Sequence, residues 1–120
     1  MDGTENAAGQ SIREAVRLLA GELGPTLVAA LAGNPDRAMP GRWIEEDGPE
    51  PDAAEAERLR FARQQWQRLA DAGGTDTARA WFIGTNPSLG DNSPVSAIRE
   101  GRFQDVERAV TAMINDEFAG

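Results

Sequence analysis

Apolar positions along the chain recur at spacings of three and four, the interval that stacks side chains on one face of an α-helix. No stretch alternates with the period of two that a half-buried strand requires. Ser11 and Glu14 make an S-x-x-E capping pattern, and Ile12, Val16, Leu19 and Leu23 follow as one stripe, which predicts a first helix from Ser11. Gly24-Pro25 interrupts it and starts a second, with Leu27, Val28 and Leu31 on the apolar face and Gly33 at the end. A third, less regular segment runs from about Asp36 to Ile44. Residues 45 to 52, EEDGPEPD, hold five acids, two prolines and a glycine, a composition that buries no apolar area and predicts an extended linker.

The second half follows the same rhythm. Asp52 caps a long fourth helix with Glu55 at its third position, and Leu59, Ala62, Trp66 and Leu69 share one face before Gly73-Gly74 ends it. A helix from Thr75 carries Ala78, Trp81 and Phe82 and stops at GTNPSLGDNSP, a run of turn formers. Ser93 before Pro94 caps a short helix. After Gly101 a last helix presents Phe103, Val106, Val110, Met113 and Ile114, followed by the tail NDEFAG. The fold class is therefore all-α, with Trp66 and Trp81 expected in the core among Leu59, Leu69, Ile98 and Val110.

Composition narrows what such a fold can do. At 120 residues and 40% hydrophobic, the chain can fill one core or two small subdomains sharing one. It has no cysteine and no histidine, which removes disulfides, thiolate and imidazole metal sites, cysteine nucleophiles and the commonest general base. No apolar run is long enough for a membrane span, and the start MDGTENAAGQ is acidic and polar, so a cytoplasmic location without membrane attachment is expected. The net charge of −8 is uneven: residues 1 to 57 hold 12 acids against 4 arginines, and residues 58 to 120 hold 8 of each. That surplus argues against tight nucleic-acid binding by the chain alone, since phosphate neutralisation supplies most of such affinity. All cationic residues are Arg, as a GC-rich genome would give.

The candidate chemical motifs favour no reaction. The acidic run 45 to 52 lacks the ligand spacing and distant bidentate glutamate of a calcium loop, and Glu45-Glu46 need not face a common cleft. GTNPSLGD lacks the Gly-Lys-Ser/Thr of a phosphate loop and no strand precedes it. The expectation is a non-enzymatic binding protein with no metal and no cofactor.

The order of motifs is more specific than any one of them. Trp81-Phe82, Asn86-Pro87-Ser88-Leu89-Gly90, Ser93-Pro94-Val95 and Ile98-Arg99-Glu100-Gly101, followed by Val106 through Met113, resembles the toxin-binding domain of Xre/MbcA/ParS-type antitoxins. The similarity covers about residues 53 to 120. Upstream, LGPTLVAALAGNPDRAMPGRW is similar to that family's helix-turn-helix: Leu23 to Ala32, a turn at Gly33-Asn34-Pro35, and a recognition segment Asp36 to Trp43. It is a degenerate version, because Pro40 lies inside the recognition segment and EED follows it. The division implied is a helix-turn-helix-like region over 1-50 and a toxin-binding domain over 51-120.

The resemblance implies an antitoxin whose partner is a RES-domain toxin that consumes NAD, with the toxin's active site obstructed by the last helix and the residues after it. The residues implicated are Phe103, Val110, Met113, Ile114, Asp116, Glu117 and Phe118. Phe118 either enters the toxin's cleft or folds back on its own core. Operator DNA is a second expected partner, contacted by Arg37 and Arg42 and held weakly by this chain alone, and a homo-oligomer joined through the amino-terminal helices or the fourth helix is also implied. The rival readings are a helix-turn-helix transcriptional regulator with no toxin partner, and a scaffold that only self-assembles.

Overall fold

Several helix boundaries in the computed structural model sit where local chemistry supplies the missing end partners. The model describes the backbone from Gly3 to Glu117 and side chains from Ile12 to Asp116. Among these residues lie seven α-helices and no strand: α1 Gly3–Leu23, α2 Pro25–Ala32, α3 Met39–Ile44, α4 Ala53–Gly73, α5 Thr75–Ile83, α6 Pro94–Arg99 and α7 Phe103–Glu117, with a 3-10 turn at Pro87–Leu89. The all-α class is as the periodicity indicated.

The α4 N-terminus shows the principle. The Asp52 carboxylate accepts from the Glu55 amide at 2.8 Å while the Glu55 side chain accepts from the Asp52 amide at 2.9 Å, a reciprocal box that satisfies two otherwise orphaned donors. Ser93 likewise accepts from the Ser96 amide to open α6. Gly24 and Gly74 are one-residue elbows, at φ +88° and +93°, that end α1 and α4 and start α2 and α5. A side chain in that region of backbone space is strained, so both turns need glycine.

Two helix starts differ from the sequence expectation. α1 begins at Gly3 rather than at Ser11, so Ser11 lies inside the helix and is not its cap. No proline interrupts the preceding residues, and two alanines there favour helix. α3 begins at Met39, because Asn34 and Asp36 each accept from the backbone amide two residues on, at 2.8 and 2.9 Å, and hold residues 34 to 38 in turns. Pro40 then sits in the first turn of α3, where its missing N–H leaves no bond unmade, and is buried instead of breaking the helix.

One continuous core fills the space between the helices. Ile12, Val16 and Leu19 of α1, Val28 and Leu31 of α2 and Trp43 of α3 join Leu59, Ala62, Trp66 and Leu69 of α4, with Phe82, Leu89, Ile98, Val106 and Val110 from the second half. α4 packs against α1, α2, α5, α6 and α7. The 50/51 boundary lies in the segment between α3 and α4, and the core crosses it. That segment is anchored: Arg13 Nη2 donates to the Glu46 carbonyl at 3.0 Å, and a Cβ on Gly48 would collide with the Arg42 carbonyl oxygen.

Arginines seal the ends of these elements. Arg58 of α4 donates to the Ala32 carbonyl at the end of α2, at 3.2 Å. Arg79 of α5 donates to the Glu22 carbonyl near the end of α1 at 2.9 Å and also pairs with the Glu22 carboxylate at 2.8 Å. Arg102 reaches the Leu89 carbonyl at 3.2 Å, closing the 3-10 turn. The last carbonyls of a helix have no partner within it and carry its negative pole, so a guanidinium delivered from a distant element satisfies both needs.

The tryptophans divide differently from the sequence expectation. Trp66 is 2% exposed and meets Phe82 with ring centroids 5.7 Å apart, whereas Trp81 is only half-buried, its ring edge-on to Phe82 at 5.7 Å. Trp43, which the sequence placed in a recognition segment, is 1% exposed. Trp66→Ala and Trp43→Ala should therefore each cost about 3 to 5 kcal/mol in denaturant unfolding, and Trp81→Ala distinctly less. Equal losses at all three positions would contradict this burial order.

Candidate functional site

The motif run from Trp81 to Gly101 folds into a small knot beside the start of α7, organised by Asn86. Its side-chain oxygen accepts from the Ser88 amide at 2.9 Å, and its carbonyl accepts from both Leu89 and Asp91 amides at 2.9 and 3.0 Å. Its own amide donates to the Asn92 carbonyl at 3.1 Å. Leu89 drops into the core, fully buried, while Gly90 and Gly101 close the turns on either side of α6 at positive φ. Asp91 shares the left-handed region at φ +66°, the sole non-glycine to do so among the described residues. The loop can hold that strained residue because its amide donates to the Asn86 carbonyl while Asn86 also bonds Ser88, Leu89 and Asn92 on either side of it.

α7 leaves this knot with two faces. Val106, Ala109 and Val110 are buried, and Phe103, Met113 and Ile114 are half-buried against the same core. Phe103 stacks on Phe61 of α4 with ring centroids 4.5 Å apart and planes at 18°. The outer face is polar, with Gln104, Glu107, Arg108, Thr111 and Asn115 exposed. Of the residues the sequence assigned to toxin contact, Val110 is a core residue, not a surface anchor. Phe103, Met113 and Ile114 offer only their outer edges, and Asp116 is exposed. The reason is that α7 has one apolar stripe, and packing against α4 and α6 already covers it. The Glu117 side chain and all of Phe118 lie outside the described residues. The helix itself runs to Glu117, so residues 115 to 117 are its last turn and not a tail.

A cleft of about 630 Å³ opens where α4 and α7 meet, lined by Arg63, Gln64, Gln67, Asp71 and Glu107 among others. At its base Gln65, 2% exposed, accepts from Arg68 at 3.0 Å, and Arg68 also donates to the Thr111 hydroxyl at 2.8 Å. These contacts, like the Phe61 stack, were not anticipated from the sequence. The signal was present, since Arg58, Phe61, Gln65 and Arg68 recur at spacings of three, four and three beside the apolar stripe. That face carries the cross-links of α4 to α2 and α7.

Arg37 and Arg42 are both exposed. Arg37 lines a cleft with α2 residues and with Arg99 of α6; Arg42 is not part of it. The apolar face of α4 is buried within the chain, so only its polar surface is free for self-association. No helix among the described residues is long and apolar enough to cross a membrane. Comparisons with protein-family models, with curated proteins and with solved structures give no match to this chain.

Asn86→Ala removes the cap on the 3-10 turn while leaving the backbone bonds in place. It should lower stability by about 1 to 2 kcal/mol in urea unfolding. Asn86→Asp, which keeps the accepting oxygen, should recover most of the loss. A full-strength Asn86→Ala protein would show that the knot is held by Leu89 burial alone.

Proposed function

We propose that this chain is the antitoxin of a type II toxin-antitoxin system: residues 51 to 120 hold a RES-domain toxin in the cytoplasm and the end of the chain obstructs the toxin's NAD site. The observation that carries this reading is the ordered run Trp81 to Gly101, in which five of the motif residues have a visible structural task. Asn86 caps, Leu89 anchors, Gly90 turns, Ser93 caps again and Gly101 launches α7. A knot of this kind aims a terminal helix in a defined direction, which is what delivery of an inhibitory segment to a cleft requires.

Burial of the α7 apolar stripe narrows how inhibition works. The contact falls to the polar outer face of α7, the edges of Met113 and Ile114, and Asp116, Glu117 and Phe118 beyond them. An aromatic entering a preformed cleft supplies about 2 kcal/mol or more as a hot spot, and adjacent carboxylates complement basic residues that hold a pyrophosphate. Catalytic residues are not needed for this, only exclusion of NAD.

A helix-turn-helix regulator acting without a toxin is the second reading, favoured by the exposure of Arg37 and Arg42. In a gel shift with the chain's own upstream region, Arg37→Ala with Arg42→Ala should weaken operator binding, which the nearby acids already keep weak. Tight binding with a steep salt slope by the unmutated chain would favour the regulator; equal affinity before and after substitution would remove both residues from any DNA contact.

The antitoxin reading is tested with the toxin in hand. Deleting residues 115 to 120, or changing Phe118 to Ala, should leave the fold and toxin capture intact but restore NAD consumption by the captured toxin. Full inhibition by the truncated chain would rule out obstruction by the terminal segment and indicate that residues 53 to 114 distort or hold the toxin instead. Absence of any complex between the full chain and the RES-type protein would overturn the reading altogether.

A further inference from the structure

The chain carries 20 acids against 12 arginines, yet one cleft escapes that surplus. It holds about 420 Å³ and is lined by Ala29, Ala30, Gly33 and Pro35, with Arg37 and Arg99, and by Thr26 and Asn34. No carboxylate lines it. The other described clefts all include one: Asp71 and Glu107 at the α4–α7 groove, Glu107 beside Arg108, and Asp105 beside Arg102. Arg37 and Arg99 are 62 positions apart in sequence (99 − 37) and are joined here by packing of α2 on α6.

Their position is unlike that of the arginines that hold the fold. Arg13, Arg58, Arg68, Arg79 and Arg102 each bond a partner on another element, and Arg63 bonds Gln67 within its own helix. Arg37 and Arg99 are exposed and make neither an ion pair nor a side-chain hydrogen bond among the described residues. Two guanidinium groups at one concave site, unneutralised and with small apolar neighbours, make a receptor for an oxyanion carried on a chain that can lie over alanine and proline.

We propose that this cleft binds a carboxylate of a protein partner, an aspartate or glutamate side chain flanked by small residues. The charge distribution favours a protein over nucleic acid. Residues 1 to 57 hold 12 acids against 4 arginines, a surplus that opposes the approach of a polyanion, and two cations at one cleft suit one carboxylate better than a row of phosphates. A single carboxylate carries too little charge to be repelled strongly and gains two charge-assisted contacts. The proposal does not rest on the partner being a toxin.

The test uses the full chain, labelled so that the Arg Nε–H signals are resolved by NMR, and the capped tripeptides acetyl-Ala-Glu-Ala-amide and acetyl-Ala-Gln-Ala-amide as probes. The Glu peptide should shift the Arg37 and Arg99 signals saturably, and the neutral Gln peptide should not. R37A or R99A should weaken the Glu peptide at least tenfold, whereas R17A with R60A, exposed arginines outside the cleft, should leave its affinity unchanged. All four positions are exposed, and unchanged circular dichroism verifies that each variant is folded. The proposal is overturned if the Glu peptide gives no saturable shift, if the Gln peptide binds equally, or if R37A and R99A leave affinity intact. It is also overturned, in favour of a nucleic-acid site, if a twelve-base-pair duplex saturates the same two signals at lower concentration than the peptide.

Discussion

Everything in this molecule is arranged around the buried face of α4. Leu59, Ala62, Trp66 and Leu69 are each at most 2% exposed, and they are covered from one side by the first helices and from the other by α5, α6 and α7. Core residues from both halves of the chain meet on it, so α4 is the shared wall. A helix whose apolar stripe is covered on both flanks offers no hydrophobic face to a second copy. The same constraint governs α7, whose stripe is taken up by the core it helps build.

Around that wall, arginine does work that other proteins assign to lysine, histidine or glycine-closed turns. Arg58, Arg79, Arg102 and Arg13 each donate to a backbone carbonyl at or just past the end of another element. The planar, always charged group reaches two acceptors at once, as Arg79 does on the Glu22 carbonyl and carboxylate. Distant parts of the chain are thereby tied to the exact ends of helices, where unpaired carbonyls are most costly. The uniform use of arginine therefore has structural consequences, whatever codon bias produced it.

These two constraints together shape the functional reading. Most large apolar side chains among the described residues lie inside, with Ile83 the exposed exception, and what faces outward on α7 is largely polar. In the proposed antitoxin reading, recognition then depends on direction and on a few groups: the knot around Asn86 aims α7, and its polar face, the edges of Met113 and Ile114 and the residues beyond them meet the toxin. Such contacts give specificity and orientation more readily than bulk affinity.

Local chemistry determined the elements. The spacings of three and four, the Asp52–Glu55 and Ser93–Ser96 caps, and the breaks at Gly24, Gly33, Gly74 and Gly90 were legible one window at a time, because each depends on residues within a turn or two. Where a competing local bond intervened, as at Asn34 and Asp36, the helix start moved to Met39. Burial was only partly legible. The stripe on α4 was recognisable as core, but that Trp43 of α3 is buried while Trp81 of α5 is only half-buried depends on how each helix packs against its neighbours. Val110, assigned to a partner from the sequence, is buried in the core and Phe103 is half-buried for a related reason, since an amphipathic stripe looks the same whether it meets its own core or another protein's. Least legible were the pairs that span the chain: Arg58 with Ala32, Arg79 with Glu22, Phe61 with Phe103, and Arg37 with Arg99. No local pattern encodes which side chains become neighbours when helices far apart in sequence pack together, so only the tertiary structure decided them.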